Sequence, residues 1–309
     1  MKLLKYILLS APFLIFVIVT TVKEIERKEL GSVSNPIKIY FTPSVDSKKI
    51  TSNARTLLEF LEKETGYHFV TAVPSSFVAV VEAFGSKKAD IASINTFSYL
   101  MANERYGAEA ALRIVRDNGE ISYRGQIVVR TDSGIDSIQQ LNGKTIAYTD
   151  AASTSGYILP KSLLDKNNIK PSESVFAIKH DNVITMVYQR QVDAGATYYA
   201  PPDPATGAIL DARMRVLTQF PDVGDVVKII ALTDEIPNDP IVFRKDLPEV
   251  MKIKVKAALL KFVSTPEGQH ALYEIYDVRG FIETNDSDYD VLRNMLKNLG
   301  VSLQGLVKK

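Results

Sequence analysis

The chain has 309 residues and no cysteine, which excludes disulfides, thiolate metal sites, cysteine nucleophiles and lipid attachment through an N-terminal cysteine. Histidine is scarce as well: His68, His180 and His270 are the only three, too little material for a metal centre. Net charge is nearly absent, since 37 Lys and Arg against 36 Asp and Glu leave +1. There is no global field to steer nucleic acid or an anionic membrane, so any anion must be held by a local site. Repeats of solenoid period and low-complexity tracts are missing too.

Enzyme signatures fail in turn. No Gly-x-Ser-x-Gly, His-Glu-x-x-His or dinucleotide Gly-x-Gly-x-x-Gly occurs. Gly143-Lys144-Thr145 has the ending of a phosphate-binding loop, but Ile138 stands where its first glycine belongs and the triplet precedes a strand, so it reads as a turn. Asp286-Ser-Asp-Tyr-Asp290 has the opening of a calcium loop, but Val291 and Lys297 occupy the positions of the turn glycine and the bidentate glutamate. That stretch reads as a helix cap. The sequence therefore offers no catalytic pair, metal site or cofactor motif.

What is present begins with Lys2 and Lys5 ahead of an apolar run from Tyr6 to Val22, closed by Lys23, Glu24 and Glu26. This is the pattern of an export signal or a membrane anchor over residues 1–22, an N-terminal apolar helix. The run ends without a small-x-small pair, which leaves retention as an anchor open, and it is near the short limit for spanning a bilayer. Residues 23–35, charged and then Gly/Ser-rich, suit a linker.

From Pro36 onward, strand-length apolar runs alternate with segments of helical spacing, which predicts an α/β fold with largely parallel sheets. Strands are expected at 37–41, 67–73, 89–94, 126–130, 145–148, 175–178, 194–197 and 226–232. Helices are expected at 50–65, 77–84, 96–106, 155–166, 181–191, 247–263, 267–276 and 288–299. The pattern runs through twice and then ends in helices, so the chain reads as two lobes. Residues 36–130 and 233–309 form the first, 131–232 the second, and Val128–Thr131 and Ile229–Thr233 cross between them. Ligands in such folds sit in the cleft at strand ends.

The most informative segment is the strand ending at Asp150 followed by Ala151-Ala-Ser-Thr-Ser-Gly156 and a helical run. A helix start offers unpaired N–H groups and partial positive charge, and Ser153, Thr154 and Ser155 add hydroxyls. Capping accounts for one hydroxyl, not three in succession. His180, at another strand end, faces the same cleft in this reading, although a lone histidine is often incidental. Asp239, between Pro237-Asn238 and Pro240, has its carboxylate held in a stiff loop or is simply part of a turn. Tyr198 and Tyr199 place phenols at a strand end, where half-buried packing is the plain alternative.

Ordered blocks along this chain resemble the phosphate/phosphite/phosphonate family of periplasmic ABC-transporter binding proteins across roughly Ile37 to Leu299. The blocks are Ala89-Asp-Ile-Ala with Phe97-Ser-Tyr99; Tyr123-Arg-Gly-Gln-Ile-Val-Val-Arg130; Asp132-Ser-Gly-Ile135 with Leu141-Asn-Gly-Lys-Thr145; Ala152-Ser-Thr-Ser-Gly-Tyr157; His180-Asp181; Val192-Asp-Ala-Gly-Ala-Thr197; and Ile236-Pro-Asn-Asp-Pro240. Each is weak alone; their order and spacing are specific. The resemblance implies a two-lobed type 2 periplasmic-binding fold that closes by hinge motion over two crossovers. It implies no enzyme, but capture of a phosphonate, phosphite or phosphate for an ABC permease, in the periplasm or on the outer face of the cytoplasmic membrane, with membrane contact only through an uncleaved N-terminal segment.

On that resemblance Ser153, Thr154 and Ser155 look like the oxyanion cradle, His180 and Asp239 face the ligand's oxygens or substituent, and Tyr198 meets its variable end. Phe77 stands where many relatives carry tyrosine, and Ser93-Ile-Asn95-Thr96 replaces a common aromatic or Gly-containing turn. These departures leave the choice among phosphorus oxyanions open. Asp239 bears on the class: a carboxylate beside a dianion is repulsive unless the anion donates a proton, as hydrogen phosphonate can and sulfate at neutral pH cannot. The alternatives are a membrane-tethered ligand-sensing domain on the same fold, or an enzyme with His180 as its acid–base group.

Overall fold

In β1 (Ile37–Phe41), Ile37, Ile39 and Phe41 are buried and the residues between them partly so, the two-residue period of a strand covered on both faces. The chain that follows is built as a computed structural model describing residues 29–300. The expected N-terminal apolar helix and signal or anchor lie outside the described residues, as do residues 23–28 of the expected linker. Asp46 accepts from the backbone N–H groups of Lys48 and Lys49 and so starts α1 (Ser47–Thr65), which Gly66 ends at φ 77°. Then come β2 (Phe69–Ala72), α2 (Phe77–Gly85), β3 (Ile91–Ser93), α3 (Thr96–Tyr106), β4 (Glu109–Val115) and β5 (Ser122–Arg130).

Next are β6 (Thr145–Tyr148), a wide π-type turn at Thr154–Ile158, α4 (Leu159–Lys166), β7 (Glu173–Phe176), α5 (His180–Tyr188) and β8 (Ala194–Tyr199). The chain closes with short α6 (Val223–Val226), β9 (Val227–Pro237), β10 (Pro240–Phe243), α7 (Glu249–Phe262), α8 (Pro266–Tyr276), β11 (Gly280–Glu283) and α9 (Asp290–Asn298).

Two sheets result. The first has the order β11-β4-β10-β3-β1-β2 and the second β7-β6-β8-β5-β9. Strands β1, β2 and β3 pair in parallel, while β10, returning from the other lobe, is antiparallel to both β3 and β4. The second sheet repeats the plan: β6 is parallel to β7 and β8, and β5 is antiparallel to β8 and β9. Each sheet is covered on both faces. Successive residues of β5 show why: Ile127 and Val129 join Leu164 of α4, and Val128 joins Val183 and Val187 of α5.

The crossovers differ in place from the sequence expectation. Ser122–Arg130 is hydrogen-bonded along its length to β8 and β9, so it belongs to the second sheet rather than the first lobe. The β9 strand likewise runs to Pro237 within that sheet. The chain therefore crosses at residues 116–121 and again at Asn238–Asp239. Asn238, fully buried, ties the two crossings together: its side-chain amide donates to the carbonyls of Ile114 at 3.0 Å and Glu120 at 2.9 Å, and its backbone N–H donates to Ile121. Strands β4, β10 and β11 went unread in the sequence. The expected turn at Gly143 is present at φ 72°, and Asn285 and Asp288 form the expected helix cap.

Candidate functional site

Four backbone starts converge on one cavity between the lobes. Phe77 begins α2, Asn95 caps α3, His180 begins α5, and Ser153 caps the wide turn before α4. All four residues line the cavity, which offers about 50 Å³ to the centres of waters. Each start brings partial positive charge to the same place, although the Phe77, Phe97, Ser98 and Gly156 N–H groups already donate to Asp150, Thr154, Asn95 and Ser153. This focus on one point favours an anion without any lysine.

The hydroxyl triplet divides its work. Ser153 accepts from the N–H of Gly156 at 3.1 Å and lines the cavity, as does Ser155. A side chain at Gly156 would place a Cβ 2.0 Å from Thr149 Oγ1, so only glycine lets this turn close. Thr154 turns the other way. Its hydroxyl donates to Asn95 Oδ1 at 2.9 Å and accepts from the Phe97 N–H at 2.9 Å, which joins the second lobe to the first. It does not line the cavity. Successive residues on a helical turn point about 100° apart, so three neighbours cannot face one ligand.

Asn95 lines the cavity while its carbonyl oxygen takes both Thr154 and the Ser98 N–H. Phe77 closes one wall with its ring, and its N–H donates across the lobes to Asp150 at 3.2 Å. Burial holds the Asp150 carboxyl above the usual carboxylate range, against the pull of the Ala152 and Phe77 N–H groups. With Thr154, Asn95 and Asp150 bonded across the cleft, the lobes stand closed.

His180 is buried, and its ring meets Tyr198 edge-on at 5.0 Å. Burial, with Arg215 and Arg116 nearby, depresses its pKa to about 3, so it is neutral at ordinary pH. Its Nδ1 is buried with no hydrogen-bond partner among the described residues. A buried polar atom left so is costly. Tyr198 accepts from Arg215 Nε at 3.1 Å, and burial pushes its phenol up to about 12.

Asp239 sits in the second crossing, its loop pinned because its carbonyl accepts from the Ile114 N–H. The Tyr123 and Thr96 hydroxyls reach one carboxyl oxygen at 3.3 and 3.4 Å, and Arg116 stands 3.9 Å from the other. Desolvation raises its pKa and Arg116 opposes that rise. The side chain keeps 23% exposure, and it faces the cavity that it lines.

Sequence reasoning missed Arg116, Arg215, Tyr123, Tyr276 and Asp277, all on the cavity wall. Arg215 of the second lobe pairs with Asp277 of the first, and Arg116 donates to the carbonyl of Tyr276. Tyr123 lay inside a quoted block but was not singled out; the arginines sit on connecting segments where a charged residue is ordinarily solvated. Tyr199 does not reach the cavity. Among the described residues no group of three His, Asp or Glu could hold a metal ion.

This arrangement, two α/β lobes with a polar cavity between them, defines a two-lobed ligand-binding protein. Residues 39–289 match the model of the ABC-transporter phosphonate periplasmic substrate-binding protein family, and the chain belongs to that family. It is 26% identical over 222 residues to a phosphonates-binding periplasmic protein of Escherichia coli K12, a match covering 70% of this chain and 62% of the relative. It is 25% identical over 169 residues to a phosphate-import protein of Mycolicibacterium smegmatis, covering 50% of this chain and 53% of that protein. The matches thus span under two thirds of either relative's length. In fold, the binding-protein component of an ABC phosphonate transporter from Pseudomonas aeruginosa superposes with a TM-score of 0.75, at 21% identity, covering 87% of this chain and 89% of the other.

Proposed function

We propose that the protein captures a small phosphonate-type oxyanion outside the cytoplasm and delivers it to an ABC permease. The observation that carries this reading is the unpartnered Nδ1 of buried, neutral His180 in a cavity where four helical starts meet. Size agrees: at roughly 10–15 Å³ of such space per water, the cavity takes a tetrahedral anion with a small substituent and not a nucleotide. Ser153, Ser155 and His180 supply neutral donors, the helix starts supply partial positive charge, and Asp239 accepts a proton from the anion. Thr154 and Asn95 act as the clasp that forms when the lobes meet over it.

Binding without turnover fits the same groups. Among the described residues no carboxylate bonds to the Nδ1 of His180 to orient it as a base. The basic-flanked apolar run before the folded part suits export, whether it is then cleaved or kept as an anchor.

The test is a thermal-shift panel on the full chain with phosphate, phosphite, methylphosphonate, 2-aminoethylphosphonate and sulfate. A ligand present at about one hundred times its Kd adds roughly 2.7 kcal/mol and raises Tm visibly. At least one phosphorus oxyanion is expected to do so at micromolar levels, with sulfate inert. No shift with any of them, or an equal shift with sulfate, overturns the reading.

A further inference from the structure

On the cavity wall near His180 and Tyr198 stand two guanidiniums, one from each side of the cleft. Arg116 leaves β4 and Arg215 lies on the 3-10 turn Ala212–Val216; their side chains are 17% and 13% exposed. Between them they bond to the Tyr276 carbonyl, the Tyr198 hydroxyl and Asp277. A guanidinium carries five N–H donors, so most of theirs have no protein acceptor among the described residues.

The carboxylates nearby do not use up this capacity. Asp277 is engaged by Arg215, and its distance to Arg116 is 3.9 Å, a contact of charges without a hydrogen bond. Asp239 is also 3.9 Å from Arg116 and takes its hydrogen bonds from Tyr123 and Thr96. A smaller hollow shares Arg116, Tyr198 and Asp277 with the cavity and is also lined by Asp117 and Glu120. Asp117 is paired there with Arg279 at 2.6 Å. A substituent growing from the anion thus meets the two guanidiniums before it meets any acidic group free of a partner.

We propose that Arg116 and Arg215 form a subsite for a second negative charge, so that the preferred ligands are phosphonates whose short carbon chain ends in a carboxylate. The inference rests on the phosphonate reading above and deepens it. A carboxylate placed between the guanidiniums accepts charge-assisted bonds in the forked geometry arginine offers. An ammonium at the same point meets two fixed cations, and the nearest carboxylate, Asp277, is already paired with Arg215. The ammonium is disfavoured there for the reason it would suit a site lined by free carboxylates.

Calorimetry on the full chain with methylphosphonate, phosphonoacetate and 2-aminoethylphosphonate tests this. Phosphonoacetate is expected to bind at least about tenfold tighter than methylphosphonate, the scale of one charge-assisted hydrogen bond, and 2-aminoethylphosphonate weaker than both. Arg116→Gln should erase most of that preference, read as the ratio of phosphonoacetate to methylphosphonate affinity in the same variant, and Arg215→Lys, which keeps charge but loses the fork, should erase part of it. If methylphosphonate binds but phosphonoacetate binds no tighter, or 2-aminoethylphosphonate binds tightest, the subsite is wrong and the phosphonate reading stands. If none of the three binds, the subsite fails, and the reading it rests on fails with it when phosphate and phosphite do not bind either.

Discussion

The two lobes face the same cavity with different chemistry. From the second lobe come Ser153, Ser155, His180, Tyr198 and Arg215, which include hydroxyls, a neutral imidazole and one cation but no carboxylate. Both carboxylates on the cavity wall, Asp239 and Asp277, belong to the crossing and the first lobe, with Arg116 as the only cation on that side. An approaching anion therefore meets no carboxylate on the second lobe, whereas on the other side the α2 and α3 starts and Arg116 are offset by Asp239 and Asp277. That offset is relieved once Arg215 has reached Asp277 and the anion has a proton to give Asp239. The second lobe is the receiving half and the first the discriminating half.

The largest effect expected to test this division comes from His180. Its folded pKa, about 3, lies well below the ordinary 6.5, so below pH 6.5 the unfolded chain holds a proton that the folded one does not. Stability from this residue is complete above pH 6.5 and is lost as pH falls toward 3. Asp239 has the opposite sign: its folded pKa is raised, so the folded chain takes the proton first, and that stability is present at low pH and lost as pH rises through the folded pKa. The unliganded Tm should fall on acidification from pH 6.5, less steeply in His180→Gln. Ligand affinity of that variant should drop roughly ten- to a hundredfold, the cost of one or two buried hydrogen bonds. A Tm slope unchanged in the variant would remove His180 from the receiving half.

Asp239→Asn is expected to act on selectivity more than on affinity. It replaces an obligate acceptor with a side chain that also donates, so sulfate becomes tolerated and the phosphonate-to-sulfate ratio falls by about tenfold or more. The unmodified protein should show the same loss on acidification, at a pH above that of an ordinary carboxylate, because burial holds the Asp239 pKa up. Equal sulfate and phosphonate binding by the unmodified protein at pH 8 would break the comparison between the lobes.

Much of this was legible in residue order. Helical and strand periods located α1, α3 and β6 closely, since each is an amphipathic or apolar run ended by glycine or a turn. The β4 strand was not, because Leu112 and Ile114 alternate with partly exposed Arg113 and Val115 next to an exposed Glu109, and β10 is only four residues long and starts at a proline. Three hydroxyls at a helix start were visible, but not the turning away of Thr154, which depends on what the other lobe presents. Arg116 and Arg215 could not be found at all. Burial of an arginine on a connecting segment is decided by tertiary packing and leaves no local pattern.

Thr154 gives the smallest effect and separates closure from contact. Its hydroxyl holds Asn95 and the Phe97 N–H across the cleft and does not line the cavity. Thr154→Val keeps the shape and removes both bonds, at a cost of about 1–2 kcal/mol paid in the closed form only. The open form gains population, and apparent affinity falls in proportion to the closed fraction. Small-angle scattering should show a larger radius of gyration for the unliganded variant, affinity should weaken by about three- to tenfold, and the order of preference among ligands should stay as it was. Thr154→Ser should restore both readouts. A change in ligand preference instead would place Thr154 in direct contact with the anion, the role proposed for its neighbours Ser153 and Ser155.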